Sequence, residues 1–190
     1  MRFALFLTML LTPLAASAAV TDASLHPAPP PKAPLEELFH DLAQAESPED
    51  AKPIEDRIGT IFMQSGSPSV DLLMTRAAAA VSAKDTDTAK QLLETVTELA
   101  PAYAEGWHAR ANLQRALNDD AGAMVSLGHV ILLNPRQFAA MYELGQMMED
   151  YGDKAGALKM YRRALALDPQ IDGAQKHVDG LTRDVEGQGI

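Results

Sequence analysis

The side chains best suited to chemistry in this sequence are its five histidines, His26, His40, His108, His129 and His177. A helical zinc-protease site needs two histidines four residues apart with a glutamate between them, and no two of the five have that spacing. A serine raised on a tight turn needs Gly-x-Ser-x-Gly, and a phosphate cradle needs a glycine-rich loop closed by a lysine. Neither motif is present. The chain has no cysteine, which removes thiol catalysis, disulfides, Cys-ligated zinc and iron–sulfur clusters together. No catalytic residue, metal or cofactor is therefore expected. His26 lies in a proline-rich stretch and His40-Asp41 on an exposed helix edge, while His129 reads as a packed or partly exposed residue. His108 alone reads as a pH-sensitive contact, not as a base.

With 190 residues the chain is long enough for one domain and short for two. An apolar fraction of 47% with only 5% aromatic residues favours helices over a β-sandwich. A formal net charge of −10 works against a grip on nucleic-acid phosphates, so no nucleic acid is expected as a partner. At the start, Arg2 precedes an apolar run from Phe3 to Leu14 that Thr8, Thr12 and Pro13 interrupt, and Ala16-Ser17-Ala18 follows. That is the layout of a signal peptide over 1–19, cleaved near Ala18 or Ala19, and it predicts a periplasmic or secreted protein. The alternative is an uncleaved membrane anchor, the one way this reading brings the chain to a membrane. No cysteine follows the run, so no lipid anchor is expected. Residues 20–34 form a stiff spacer, because five prolines fall between Pro27 and Pro34.

Beyond the spacer a period sets the elements. Pro101, Pro135 and Pro169 stand 34 residues apart, as do Asp85, Asp119 and Asp153, and Leu99, Leu133 and Leu167. Small residues keep the same register at Ala77, Ala111 and Gly145 and at Ala89, Ala123 and Ala157. Such a period means one supersecondary unit stacked on itself. Each unit reads as two helices of about fourteen residues joined by a short turn. Asp85, Asp119 and Asp153 can accept a bond from an unpaired N–H where the second helix starts, worth about 1 kcal/mol each. Gly152 suits a left-handed end to the first helix. The prolines stop the second helix, and the small residues mark close helix crossings.

These residues resemble the tetratricopeptide repeat. The unit 138–171 carries Met141, Leu144-Gly145, Met148, Ala157, Tyr161, Ala164 and Asp168-Pro169. The unit 104–137 has Trp107 in the family's large-residue position, then Ala111, Ala123, Leu127, Val130 and Pro135, and departs from the pattern at Arg110 and Gln114. The unit 70–103 has Leu73, Ala77, Ala89, Leu93, Val96 and Pro101. The resemblance implies an all-α fold, a short right-handed α-solenoid of helix pairs closed by capping helices. A helix pair over 35–69, with apolar stripes at Leu35, Leu38, Phe39, Leu42 and at Ile54, Ile58, Ile61, Phe62, breaks the period and reads as a degenerate repeat or N-terminal cap. A helix over 172–185 caps the other end, and 186–190 forms a flexible tail. Trp107 takes a structural role, and its replacement by Ala is expected to cost about 3–5 kcal/mol. No stripe reads as apolar enough to require self-pairing.

Members of this family hold a peptide or a partner's helix on the concave face, lined mainly by first helices. The resemblance places there Asp71, Met74, Ala78 and Ser82, then Glu105, His108, Asn112 and Arg115, then Ala139, Tyr142, Gln146 and Glu149. Lys176 and Arg183 would continue the row. Relatives that clamp the acidic tails of heat-shock chaperones use Lys, Asn and Arg at set positions. Asn112 matches one, but Met74, His108 and Tyr142 stand where the lysine is expected, so that specificity does not carry over. The implied function is a non-catalytic scaffold that binds a protein or peptide in the groove, in cell-envelope assembly or maintenance. An escort chaperone of broad, weak specificity and a membrane-anchored structural subunit are the alternatives.

Overall fold

The computed structural model describes residues 35–187, and the expected signal peptide, its cleavage site and the proline spacer lie outside them. Among the described residues there are nine helices and no strand. They are α1 (Leu35–Ala43), α2 (Pro48–Phe62), α3 (Pro68–Ser82), α4 (Thr86–Leu99), α5 (Ala104–Ala116), α6 (Asp120–Leu133), α7 (Phe138–Asp150), α8 (Lys154–Leu165) and α9 (Ala174–Val185). None is long and apolar enough to cross a membrane.

The pairs α3–α4, α5–α6 and α7–α8 are built alike and stack as an α-solenoid. Their tight turns pass through Lys84 (φ 60°), Asn118 (φ 59°) and Gly152 (φ 84°), one left-handed residue per unit. The next residue is the repeating aspartate, and it serves both helices. Its N–H reaches back to the first helix, from Asp85 to Ala80 O at 2.9 Å, from Asp119 to Gln114 O at 2.8 Å and from Asp153 to Met148 O at 2.8 Å. Its carboxylate accepts from the N–H of Thr88, Gly122 and Gly156 at 3.2, 3.0 and 2.9 Å, capping the second helix.

Packing explains the small residues. Ala89, Ala123 and Ala157 are wholly buried where the helices of each pair cross. A Cβ on Gly145 would lie 2.9 Å from the ring of Tyr161, so glycine is what lets that buried ring slide beneath α7. Trp107 packs less deeply than the cost expected for its loss implies. It is only half-buried, stacks on His129 at 4.1 Å between centroids, and its indole N–H donates to Pro101 O at 3.0 Å. Part of the ring stays in water, which lowers the expected cost of Trp107→Ala to about 2 kcal/mol.

The two flanks pack differently. Helix α9 lays Val178 and Leu181 against Leu158 and Tyr161 and closes the end of the stack. Helices α1 and α2, read from sequence as a degenerate repeat or cap, do not cover the outer side of α3, where Leu72 remains 50% exposed. Instead their apolar stripes run along the edge formed by the loops between units. Phe39 meets Phe138 edge-on at 6.4 Å, Arg136 lies 3.7 Å over the Phe39 ring and pairs with Glu36 at 2.6 Å. Leu38, Leu42 and Ile58 share a core with Phe138, and Leu167 and Ile171 pack against it. Further contacts run from Tyr103 Oη to Met63 O (2.7 Å) and from Gln170 Nε2 to Ala45 O (2.8 Å). The pair therefore straps all three units along one edge. The third of the repeating leucines, Leu167, is half-covered by this strap, whereas Leu99 is exposed.

Candidate functional site

The open groove of the solenoid lies between the first helices of units one and two. Ala77, Leu93 and Leu113 form its floor, and the cavity is about 750 Å³. Helix α3 contributes Met74, Ala78 and Val81 to one wall, and α5 contributes Ala109, Asn112 and Ala116 to the other. Met63 and Tyr103 close the end beside the strap. Burial, with Glu105 and Asp71 nearby, pushes the Tyr103 phenol up to about 12, so it stays a donor to Met63 O. The surface is mostly apolar and adaptable, with two methionines at its margin.

A polar bridge borders this groove on the α7 side. His108 Nδ1 faces Glu105 Oε2 at 3.4 Å and its Nε2 faces Glu143 Oε1 at 3.2 Å, with the imidazole 13% exposed. Arg115 Nη1 lies 3.7 Å from Glu143 Oε2, too far to donate to it, and Gln137 donates to Glu105. Burial alone would lower the His108 pKa, but the bonds and charges of Glu105 and Glu143 outweigh it and hold it at about 9. The imidazole is thus cationic through neutral pH, with its charge already answered by two carboxylates.

The predicted row of binding residues is divided by the structure. Met74, Glu105, His108 and Asn112 line the open groove together, and Asn112 is exposed in it. Arg115 turns toward Glu143 instead. Tyr142 and Glu149 lie under α9. Tyr142 donates to Asp172 O at 3.1 Å and packs on Tyr161, while Glu149 accepts from Tyr161 Oη at 2.9 Å and pairs with His177 Nδ1 at 2.8 Å. Gln146, half-buried on the same helix, does not line the groove. Lys176 and Arg183 border a separate polar depression with Glu149 and Lys154, not a continuation of the groove. The capping helix has taken the third unit's face for internal contacts.

Met63, Val81, Tyr103 and Glu143 are site residues that the sequence reading missed. Tyr103 shares a register position with Gln137 and Ile171, but three unlike residues give no repeat signal. Glu143 reaches His108 only through the stacking of one unit on the next. Among the described residues no group of three or more His, Asp or Glu is arranged to hold a metal ion.

No family model matches the chain. A TPR repeat-containing protein of Rhizobium etli is 31% identical over 157 residues, covering 83% of this chain and 77% of that protein. Among solved structures, the TPR domain of Arabidopsis OM64 aligns with a TM-score of 0.55 at 20% identity, over 62% of this chain and 97% of that one. The first TPR of Spaghetti (RPAP3), bound to the HSP90 peptide SRMEEVD, gives 0.56 at 18%, over 62% and 93%. MamA gives 0.56 at 17%, over 73% and 83%. At these identities the structural likeness is one of fold. The relative's identity and coverage, together with three units of one period and one backbone geometry, establish that the chain belongs to the tetratricopeptide-repeat family.

Proposed function

We propose that the protein is a non-catalytic scaffold that holds an apolar segment of a partner protein in the groove between α3 and α5. The observation that carries this is the apolar wall of Met74, Ala78 and Val81 on α3, facing Ala109 and Asn112 of α5 across an open cleft. A helix or extended peptide with a few large apolar side chains suits it, since such grooves take anchors at helical spacing and fix their backbone through one or two polar groups. Asn112 supplies such a polar group. The acidic peptide held by the Spaghetti domain is a poor guide to the ligand here, because the imidazolium at this groove is already neutralised by Glu105 and Glu143.

The place of action we propose is the periplasm, in envelope assembly or maintenance. It rests on the Arg2, apolar run and Ala16-Ser17-Ala18 pattern. The intact mass of the protein recovered from cells tests it. A chain beginning near Ala19 or Val20 supports export and cleavage, and a full-length chain in the membrane fraction favours an anchored subunit.

Crosslinking in living cells tests the groove, with a photoreactive residue in place of Asn112 and a control at Asp56, exposed on α2. One discrete adduct from position 112 alone supports a dedicated partner. A smear of many adducts favours an escort chaperone. Capture from position 56 and none from 112 overturns the assignment of the groove.

A further inference from the structure

The second helices α4, α6 and α8 present the same register positions to the outside, and the chemistry of those positions changes across the molecule. Where α4 carries Asp87, Gln91, Glu94 and Glu98, helix α8 carries Ala155, Lys159, Arg162 and Ala166, with the half-buried Arg163 beside them. Between them, α6 exposes Ala121, Val125, Gly128 and Leu132, and no Asp, Glu, Lys or Arg occurs from Ala121 to Leu133. Val125 is 62% exposed and Leu132 79%. This is the apolar stripe that the sequence reading did not single out, because the same helix also buries Ala123, Leu127 and Val130 on its other side. Arg162 is held by Glu186 and Thr182. Asp87, Glu94, Glu98, Lys159 and Arg163 make no ion pair among the described residues.

We propose that this outer face docks a second copy of the same chain, α6 on α6, with the acidic α4 of each protomer against the basic α8 of the other. An isolated helix of a soluble protein keeps its solvent side polar, so a charge-free outer stripe flanked by unanswered charges of opposite sign fits a partner with the reverse order of charge. The chain itself is such a partner. Two identical faces meet about a two-fold axis lying in the interface. An axis crossing α6 would set α4 on α4 and α8 on α8, like charge on like, which costs specificity and energy. An axis running along α6 keeps the two α6 helices parallel and places Val125 and Leu132 against their own counterparts. It also brings Glu94 and Glu98 to the height of the partner's Arg163, because positions 94 and 98 of α4 correspond to 162 and 166 of α8. The flanks meet through long charged side chains only. The association therefore belongs in the micromolar range and weakens with salt. Both inner grooves stay free in the dimer, which makes it bivalent.

Sedimentation velocity on the purified full chain, from about 1 μM to about 1 mM, reads the equilibrium directly. A monomer–dimer transition is expected for the wild type. Leu132→Lys is expected to weaken it at least about tenfold with helicity and melting temperature unchanged, since the residue is exposed. Glu98→Lys and Arg163→Glu are each expected to weaken it about tenfold. Both together should restore dimerisation to within about threefold of wild type, because the pair is then reversed and not lost. A wild type that stays monomeric over the range overturns the proposal, as does a dimer indifferent to Leu132→Lys. A double variant no better than its single parents overturns the parallel arrangement, and with it the pairing of α4 with α8.

Discussion

Lys84, Asn118 and Gly152 occupy one backbone position three times over, and only one of them is a glycine. A left-handed conformation costs an L-residue with a Cβ about 1 kcal/mol, asparagine less than lysine. Lys84→Gly is therefore expected to raise the unfolding free energy by about 0.5–1 kcal/mol and the melting temperature by a few degrees, Asn118→Gly by less, and Gly152→Ala to lower it by about 1 kcal/mol. Thermal melts of the three variants check the order. His108 is the second residue whose effect can be assigned a sign. Its folded pKa of about 9 lies above the ordinary value of 6.5, so its bridge to Glu105 and Glu143 contributes fully below about pH 6.5 and is lost as pH rises through about 9. Urea titrations at pH 7 and pH 10 are expected to show a loss on the order of 2 kcal/mol in the wild type that His108→Gln does not show. Equal slopes in both proteins would refute the bridge.

At the scale of elements, the strap α1–α2 docks through buried side chains. It places Glu55 beside Asp168, which is wholly buried. Asp168 Oδ1 accepts the Gln170 N–H at 3.0 Å, while Oδ2 has no donor. Burial, against the relief of the Gln170 bond and with Glu55 adding to it, raises the Asp168 carboxyl to about 6. An acid raised in the folded state stabilises most below its ordinary pKa of 3.8 and loses that contribution as pH rises through about 6. The strap should accordingly hold more tightly at pH 5 than at pH 7.5. Asp168→Asn, which keeps the acceptor for Gln170 and adds a donor for Glu55, is expected to flatten that dependence and to slow proteolysis between 62 and 68 at pH 7.5. A variant cleaved faster than wild type at that pH would show that the carboxylate is needed ionised.

For the whole molecule, the governing fact is that among the described residues the main helix contacts run within a unit or between neighbouring units, apart from the strap along one edge. Stability in such an array is a sum over units and interfaces, and the middle unit carries two interfaces. Ala123 is wholly buried inside that unit. Ala123→Glu would place a charge in a crossing with no room or partner for it, so it is expected to cost about 3 kcal/mol or more and to divide the melting transition in two. Ala157→Glu, in the last unit, should leave units one and two and their groove folded. Circular dichroism melts of the two variants distinguish a cooperative array from independent units. A single unshifted transition in Ala123→Glu would contradict the crossing geometry.

The 34-residue period of Pro101, Pro135 and Pro169 and the matching aspartates and alanines determined the all-α stacking of helix pairs without any coordinates. Turns, caps and close crossings depend on residue type at fixed spacing, and that information is local. The groove wall was legible for the same reason at Met74, His108 and Asn112, since lining positions follow from helix register. Tertiary structure alone decided what those residues touch. Glu143 meets His108 only across a unit boundary, and α9 covers Tyr142 and Glu149 through His177 and Asp172. The strap is the largest such case. Its stripes at Leu38, Phe39, Leu42 and Ile58 declare that two helices must bury an apolar face, but amphipathicity names no partner. Phe138, Leu167 and Ile171, about a hundred residues further on, became that partner because stacking brings the loops between units into one continuous apolar edge.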